Sequence, residues 1–399
     1  MNRALYMTAE EVATSLGVSV TTVYAYVSRK IIRSHRLQGE RTSRYWRPDI
    51  DRIRQKVPTS AGFQREGLAT STSITVLTEA GPFYRGRSAI ALSESESLES
   101  TASLLWQMPV TAVFPDTPPA APADIEGLWK HFEQASAIDR AMAIFPMLEQ
   151  ANPRAFDLSP EGFTRTGGEL MRWFAAMLVG AKRASSAPLH EVVASRSDDP
   201  EALGDIIRRL LVLCADHELD PTTYAVRAVA NSGVTPYRIV LAGLCATTGR
   251  RLTYGRADSL MRFLEEIATS PDPKEAVIGR FRDGDPVPGF GSRLYPAGDP
   301  RARLLLEHIN RNLHGDAELA KLNAAAEAMR DITGLEPDFA LVNQFLGRKL
   351  GFERKDGVTL RLGRIAGWIA HAMEQYHGHE LFRPRAIYTG PLPDLGEAS

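Results

Sequence analysis

The sequence has few of the features that mark secreted or membrane proteins. It contains two cysteines, Cys214 and Cys245, in 399 residues, too few for a disulfide framework, which indicates a reducing compartment. The longest apolar stretch, around residues 171–180, contains Arg172 and is too short to span a bilayer. The N-terminal residues have no apolar stretch of the kind found in signal peptides. We therefore expect a cytoplasmic protein without a membrane segment.

Common cofactor and metal motifs are also missing. His377 and His379 lie close together but have no cluster of further ligands around them, so we expect no metal site. The sequence has no glycine-rich loop of the P-loop or dinucleotide-binding type. We therefore expect no bound cofactor.

The composition is otherwise that of a globular protein, with 44% hydrophobic and 24% charged residues, and the length suits two or three domains. The charge is distributed unevenly. Residues 1–57 contain 11 basic and 5 acidic residues, a net charge of +6, which leaves −7 for the remainder of a chain whose total is −1. A basic N-terminal part indicates a polyanionic partner, although some small domains are simply basic.

The N-terminal part has the pattern of a winged helix-turn-helix. Thr8 and Glu11 have the spacing of a capping box, and Gly17 ends the first predicted helix. Ser19 can cap a second helix from Val20 to about residue 29. The following basic and aromatic segment, with a turn at residue 39, predicts a wing and a third helix.

This stretch resembles the heads of MerR-like and excisionase-like regulators, and it defines a predicted DNA-binding domain over residues 1–59. The second helix would enter the major groove. The candidate base or phosphate contacts on it are Thr21, Thr22, Tyr24 and Tyr26. The candidate phosphate contacts are Arg29, Lys30, Arg33, Arg36, Arg41 and Arg44. The alternative is a small domain that binds protein.

Beyond a Ser- and Gly-rich linker at residues 60–70, the pattern predicts a short strand over 74–77, a turn at Gly81-Pro82, and helices from Leu92 nearly to the end. We predict loops over 115–122, 185–200 and 283–300, where Pro and Gly are frequent. The predicted helices cover residues 168–184, 201–216, 222–230, 257–268, 300–313, 316–332, 337–350 and 360–375.

Five segments of the body, in order, resemble citrate synthase. They are PFYRGRSAIALSESESLESTASLLW (82–106), CADHELDPTTYAVRAVANSG (214–233), PVPGFGSRLYPAGDPRA (286–302), EPDFALV (336–342), and LGRIAGWIAHAMEQ (362–375) with RPRAIYTG (383–390). The resemblance implies a mainly α fold in which a large domain, here residues 71–250 and 351–399, and a small domain, here 251–350, enclose the active site. It also implies a homodimer.

The resemblance further implies the chemistry, which condenses acetyl-CoA with oxaloacetate. Asp338 matches the carboxylate that removes the methyl proton, and His217 matches an oxaloacetate-binding histidine. Arg293, Arg364 and Arg383 match arginines that hold the dicarboxylate, a task that suits the planar guanidinium. Coenzyme A thioester would be a substrate or ligand, and the candidate contacts to it are Arg301 and Arg303.

The two catalytic histidines of the family are missing. Ser292 stands in the Gly-Phe-Gly-His-Arg motif where the first would be, and the second position falls on Thr253 or Tyr254. Arg256 follows where a small residue is usual. Tyrosine and serine can donate hydrogen bonds, but they do not exchange protons near neutral pH as imidazole does.

Three interpretations therefore stay open. The favoured one is a DNA-binding regulator whose degenerate body senses a carboxylate, such as citrate or oxaloacetate, or an acyl-CoA. The second is an active citrate or 2-methylcitrate synthase that uses Asp338 as base, with Tyr254, Ser292 or water replacing the histidines. The third is a partner subunit that pairs with an active synthase, so that Arg383 would complete the partner's site.

Overall fold

The computed structural model describes residues 6–36, 42–55, 71–249, 251, 254–352 and 359–378. For residues 35, 36, 48, 52, 54, 55, 254, 255, 359 and 360 it describes the backbone only. The candidates Arg41, Thr253 and Arg383, the predicted wing turn at residue 39 and the linker at 60–70 lie outside the described residues. Arg36 and Tyr254 are described in their backbone only.

The N-terminal residues fold as predicted, with two helices, a sheet and a third helix. The elements are β1 (Tyr6–Met7), α1 (Ala9–Leu16), α2 (Val20–Ser28), β2 (Ser34–Arg36), β3 (Ser43–Trp46) and α3 (Arg47–Gln55), with an antiparallel sheet of order β1-β3-β2. The capping box is confirmed, since Glu11 N donates to Thr8 Oγ1 at 3.2 Å and Thr8 N donates to Glu11 Oε2 at 2.7 Å. Gly17 ends α1 with a φ of 64°, a conformation that favours glycine.

The head has a hydrophobic core of its own. Val12, Val23, Tyr45 and Ile50 are buried together, one from each of the three helices and one from β3, with Ile32 from the segment between α2 and β2. These elements therefore share a cluster that is separate from the core of the body. We therefore treat the head, α1 to α3 with β1 to β3, as one structural unit.

The body begins with a three-stranded antiparallel sheet, β4 (Thr75–Thr78), β5 (Gly81–Tyr84) and β6 (Arg87–Ser88). The predicted strand is present, but the turn lies at residues 79–80 and not at Gly81-Pro82, which begins β5. The reason is local: Thr78 Oγ1 accepts from Ala80 N at 3.2 Å and donates to Gly81 O at 3.1 Å, so this side chain closes the turn early.

The rest of the described body is helical, which confirms the mainly α fold class. The helices are α4 (Ala89–Ser95), α5 (Leu98–Trp106), α6 (Val110–Val113), α7 (Ile125–His131), α8 (Ala137–Ala151), α9 (Pro160–Leu178), α10 (Leu189–Ala194), α11 (Pro200–Leu213), α12 (Pro221–Ala230), α13 (Pro236–Thr247), α14 (Tyr254–Thr269), α15 (Pro273–Asp283), α16 (Pro300–Asn312), α17 (Ala317–Thr333), α18 (Phe339–Lys349) and α19 (Thr359–His377).

The predicted loops over 115–122 and 283–300 are confirmed, but the one over 185–200 is wrong because it contains α10. The predicted helix ranges also did not include α4 to α8, α13 and α15. Of the predicted helices, the first starts eight residues early, at Pro160, and ends at Leu178. Among the described residues, no helix combines the length and apolar character needed to cross a membrane.

Helix α19 is the centre of the body, with α5, α9, α11, α12 and α13 packed around it. Its neighbours approach closely where glycines replace larger residues. A Cβ on Gly363 would collide with Cys214 Sγ, one on Gly367 with the Asp216 carboxylate, and one on Gly243 of α13 with the Trp368 ring. The division into domains at 251–350 stays a prediction, although α14, α15, α17 and α18 do pack on one another.

The close approach of α13 and α19 predicts the cost of one methyl group. In Gly243→Ala the new Cβ would lie 2.5–2.7 Å from Trp368 ring atoms, so we expect a loss of about 1–3 kcal/mol in the free energy of unfolding. Gly204→Ala in α11 is the matched control, because its Cβ meets nothing within 4 Å, and it should gain up to about 1 kcal/mol. Urea unfolding followed by circular dichroism measures both, and equal stabilities would contradict the packing described.

Candidate functional site

A cavity of about 530 Å³ lies where α12, α14, α16, α18 and α19 meet the loop that precedes α16. It brings together five of the predicted site residues: His217, Ser292, Arg293, Asp338 and Arg364. The other residues that line it are Cys214, Asp220, Arg256, Gly291, Leu294, Tyr295, Asp299, Arg301, Phe339 and Ala340. We call this cavity the central pocket.

Asp338 is held rigidly in the wall of the central pocket. It is the N-cap of α18, and its Oδ1 accepts from Leu341 N at 2.9 Å. Its own backbone N donates to Gly289 O at 2.8 Å, and Gly291 N donates to Glu336 O at 2.9 Å, so that two short backbone segments pair on either side. The carboxylate is therefore positioned by the backbone, with little freedom to turn.

The second oxygen of Asp338 is also occupied. Arg256, near the start of α14, donates from Nη2 to Asp338 Oδ2 in a close ion pair. The Arg256 side chain is 56% exposed whereas that of Asp338 is 6% exposed. Each carboxylate oxygen can accept more than one hydrogen bond, so the Arg256 guanidinium does not block Asp338 but competes with a ligand for its second oxygen.

The two positions that lack histidine differ in what the structure describes. Ser292 is partly buried in the pocket wall and its Oγ accepts from Leu294 N at 3.3 Å. Tyr254 begins α14, two residues before Arg256, and its ring position is not described. The structure thus places a hydroxyl at one position of the missing histidines and a guanidinium beside the other.

Arg364 lies on α19 with its guanidinium buried beneath the pocket. Its Nη2 donates to Asp220 Oδ2 in a close ion pair and to Thr223 Oγ1 at 3.0 Å, and its Nη1 lies 3.8 Å from Asp216 Oδ1. Asp220 is also the N-cap of α12, as its Oδ1 accepts from Thr222 N and Thr223 N at 2.9 and 2.8 Å. The resemblance did not single out Asp220, and its place between a helix start and Arg364 is visible only in the fold.

His217 projects into the central pocket as a neutral ring. Burial, with the nearby charges of Arg301 and Arg364, lowers the pKa of His217 from 6.5 to about 3. Its Nε2 is buried and has no hydrogen-bond partner among the described residues. In the tautomer with the proton on Nε2, a neutral imidazole can donate to a ligand oxygen, but it brings no positive charge to the pocket at neutral pH.

Arg293, in the loop before α16, and Arg301, in the first turn of α16, differ in burial from what the resemblance implies. Arg293, predicted to hold a carboxylate, is exposed at the mouth of the pocket. Arg301, suggested only as a contact to coenzyme A, is buried in the wall. It donates to both oxygens of Asp299 at 3.0 and 2.7 Å and its guanidinium lies 4.3 Å from the Phe339 ring centroid. The sequence Asp-Pro-Arg, with a capping Asp two residues before the Arg, is the signal that could have identified it.

A buried polar network supports the pocket from behind. Asp216 Oδ2 lies 3.2 Å from His371 Nε2, and His371 Nδ1 lies 3.3 Å from Arg227 Nη1, which pairs with Glu374 at 2.6 Å. Burial alone would raise the pKa of Asp216, but His371 and Arg364 hold it well below its usual range. Asp216 therefore stays charged beneath the pocket.

The β4–β5 hairpin joins this network to the head. Tyr84 Oη, on β5, donates to backbone oxygens that include Asp216 O at 3.2 Å, and it accepts from Asp216 N. At the turn of the same hairpin, Glu79 accepts from Arg47 Nη2 of α3 at 3.1 Å. The β4–β5 hairpin thus contacts both the head and Asp216, which lies beneath the pocket.

In the head, the predicted DNA contacts divide by exposure. Thr21 and Tyr24 face outward on α2, Tyr24 with 55% of its surface exposed, and Arg29 and Lys30 follow at its exposed end. Thr22 instead bonds to Ser19 Oγ at the helix start, and Tyr26 packs on the head core.

Two further candidates lie near the sheet of the head. Arg33 donates from Nε and Nη2 to the buried Asp49 carboxylate at 3.0 Å each. This pair links the start of β2 to α3, so Arg33 has a structural task. Arg44 lies partly buried on β3.

Comparisons with known proteins assign both parts of the chain. Residues 62–385 match the family described as "Citrate synthase, C-terminal domain", and residues 6–52 match the family described as "Helix-turn-helix domain". Citrate synthase 2 of Bacillus subtilis is 30% identical over 191 residues, 47% of this chain and 51% of its own length. Citrate synthase of Haloferax volcanii is 31% identical over 196 residues, 48% of this chain and 51% of its own length. The chain spans about half the length of these relatives.

Solved structures give the same fold. Citrate synthase from Thermotoga maritima superposes with a TM-score of 0.67 at 23% identity, covering 83% of this chain and 97% of the other. Citrate synthase from Thermoplasma acidophilum, in a ternary complex with carboxymethyl coenzyme A and oxaloacetate, gives a TM-score of 0.65 at 20% identity, covering 81% of this chain and 94% of the other. At these identities the likeness shows the fold alone.

The neutral state of His217 predicts a pH effect on stability. Its pKa is about 3 in the folded chain against 6.5 when unperturbed, so the unfolded state binds the proton first. Its contribution is therefore complete above about pH 6.5 and is lost as the pH falls towards 3, by at most about 1.4 kcal/mol per pH unit. Denaturant unfolding between these pH values should show the free energy of unfolding of the wild type falling relative to that of His217→Asn as the pH falls. A constant difference between the two would show that folding does not shift the pKa of His217.

Proposed function

Because the chain belongs to the citrate synthase family, we propose that it is a DNA-binding regulator whose body binds a small carboxylate in the central pocket without turning it over. The observation that carries this proposal is the ion pair between Asp338 and Arg256. Through this pair Arg256 engages Asp338, the expected catalytic base. In the same pocket Ser292 replaces one of the expected histidines.

The chemistry of the family explains why these features favour binding over catalysis. Citrate synthases use coenzyme A thioester as a substrate and need no metal or cofactor, so protein side chains must move every proton. A positioned acid or base contributes roughly 100- to 10,000-fold in rate, and one oxyanion donor contributes about 2.7–4 kcal/mol. Without either histidine, and with Asp338 paired, most of that acceleration is lost.

The pocket nevertheless keeps groups that bind carboxylates. Arg301 and Arg364 are buried around it, Arg293 lies at its mouth, and His217 offers a free ring nitrogen. Guanidinium groups in a partly desolvated pocket bind carboxylates strongly. These residues support a ligand such as citrate or oxaloacetate, with an acyl-CoA as a further candidate.

We further propose that the β4–β5 hairpin couples the pocket to the head. The hairpin contacts Asp216 through Tyr84 and contacts α3 through Glu79. A ligand that binds Arg364 would change the contact between Arg364 and Asp216, and therefore the position of the hairpin that contacts the head. Like other citrate synthases, the protein would act as a homodimer, which would present two heads to DNA.

A second candidate function is an active citrate or 2-methylcitrate synthase, favoured by the position of Asp338 in the pocket wall with a cation beside it. In that case Arg256 would stabilise the enolate oxygen in place of a histidine. A subunit that completes the site of another synthase is a third candidate, which rests on Arg383, outside the described residues.

Release of free thiol from acetyl-CoA on addition of oxaloacetate distinguishes regulator from enzyme. We expect no release above that of Asp338→Ala, because the base is paired and the histidines are missing. Under the same conditions, citrate or oxaloacetate should raise the melting temperature of the wild type. Turnover on the order of 1 per second, within the range of ordinary enzymes, that Asp338→Ala abolishes would establish the synthase instead.

Binding to a mixed-sequence DNA duplex tests the head. The double variant Arg29→Gln/Lys30→Gln removes two exposed cations at the end of α2, so the slope of log K against log salt should decrease in magnitude by about 1.8. Lys182→Gln/Arg183→Gln, an equally exposed basic pair on the body, should leave the slope unchanged. Wild-type protein that does not shift the duplex in a gel at low salt would overturn the DNA-binding proposal.

A further inference from the structure

The cations of the central pocket are mostly neutralised by acids of the chain itself. Arg256 pairs with Asp338, Arg301 with Asp299, and Arg364 with Asp220. Among the described residues that line the pocket, Arg293 is the arginine for which no acidic partner is found. With His217 neutral, four arginines and three aspartates leave the wall with a net charge of +1.

Asp220 differs from the other two acids because it occupies a guanidinium that a ligand carboxylate would otherwise use. The Arg301–Asp299 pair is local, since the two residues are two positions apart and Asp299 also caps α16. Asp220 reaches from α12 to α19 and accepts from Nη2 of Arg364, the arginine that the resemblance assigns to a ligand carboxylate. A carboxylate of the chain therefore occupies one side of that guanidinium.

Of the two terminal nitrogens of Arg364, Asp220 and Thr223 occupy Nη2 and leave Nη1, with its two N–H groups, available. Arg364 Nη1 is buried, has no hydrogen-bond partner among the described residues, and lies 3.8 Å from Asp216 Oδ1. His217 Nε2 is a further buried nitrogen without a partner among the described residues. A guanidinium with one free nitrogen cannot form the two parallel hydrogen bonds by which arginine normally holds a carboxylate. One nitrogen and one imidazole suit a single carboxylate or the carbonyl beside it.

We propose that Asp220 is an internal carboxylate that sets the charge of the ligand, so that the central pocket prefers a small monocarboxylate, such as a 2-oxo acid with one carboxylate, over a dicarboxylate. This inference rests on the proposed function, in that the pocket binds a carboxylate at all. It replaces the ligands that the family resemblance implies, citrate and oxaloacetate, by a ligand with fewer charges. The net charge of +1 on the wall balances one ligand carboxylate, and, of the described residues in that wall, Arg293 at the mouth is the arginine that can pair with it without losing an acid of the chain. A carboxylate placed at Arg364 would have to displace Asp220 from it or lie beside Asp220, and both are unfavourable in a buried site.

The substitution Asp220→Asn tests the charge with little change of shape. Asparagine keeps the Oδ1 that accepts from Thr222 N and Thr223 N, and it caps helices as well as aspartate does. It removes the negative charge that holds Arg364 Nη2. The matched control is Asp272→Asn, since Asp272 caps α15 through Lys274 N and Glu275 N in the same way, outside the pocket.

Pyruvate and oxaloacetate are the probes, because both are 2-oxo acids and they differ by one carboxylate. Calorimetric titration of the wild type should show pyruvate binding at least as tightly as oxaloacetate. In Asp220→Asn the ratio of the two affinities should shift towards oxaloacetate by about 10- to 100-fold, the worth of a hydrogen bond to a charged group. Asp272→Asn should keep the wild-type ratio.

The outcomes separate this inference from the proposed function. A wild type that binds oxaloacetate tenfold or more tightly than pyruvate, or a ratio that Asp220→Asn leaves unchanged, would overturn the role of Asp220 while the pocket still binds carboxylates. If neither probe binds the wild type or the variant, both proposals fail. If Asp220→Asn does not fold, the same affinity ratio is measured in Asp220→Ser, which keeps a capping oxygen. The ratio in the wild type tests the inference in either case.

Discussion

The buried guanidinium of Arg364 is the constraint on which the site depends. Arginine keeps its charge at any physiological pH, so burying it in the central helix of a hydrophobic body requires acceptors around it. Asp216, Asp220 and Thr223 supply them from the segment that leads into α12. The same turn of chain carries His217, and the need to satisfy Arg364 thereby places the imidazole in the pocket. His371, seven residues further along α19, lies on the same face and binds Asp216 from the other side.

That arrangement has consequences for chemistry. A pocket whose arginines are paired with its own acids is already assembled before a ligand arrives, and binding then needs little reorganisation. The same pairing works against proton transfer, because a general base must exchange its proton freely and Asp338 is held by a helix start and by Arg256. A pocket that lacks the two expected catalytic histidines but contains buried cations is better suited to recognising an anion than to transforming one.

The head and the body are held together by different physics. Each has a hydrophobic core of its own, and the contact between α3 and β4 includes a polar pair, Arg47 with Glu79, that solvent reaches. Exposed pairs of this kind contribute little to stability. A junction that costs little to rearrange is compatible with the proposed coupling between the pocket and the head, whereas a large apolar junction would hold the two in one arrangement.

The sequence by itself determined the two-part organisation, the elements of the head and the identity of the body, because caps such as Thr8 with Glu11 and long motifs are local in the chain. It also identified Asp338, His217 and Arg364 as pocket residues. Patterns missed α10, which has six residues, and α8, which contains Pro146, but they also missed α13, which is twelve residues long. They also could not tell which of Arg293 and Arg301 faces inward, since that depends on how one loop folds against α18. Only the tertiary structure decided that Asp220 and Arg256 occupy Arg364 and Asp338, because these partners are 144 and 82 positions apart and an ion pair over that distance exists only once the helices have packed.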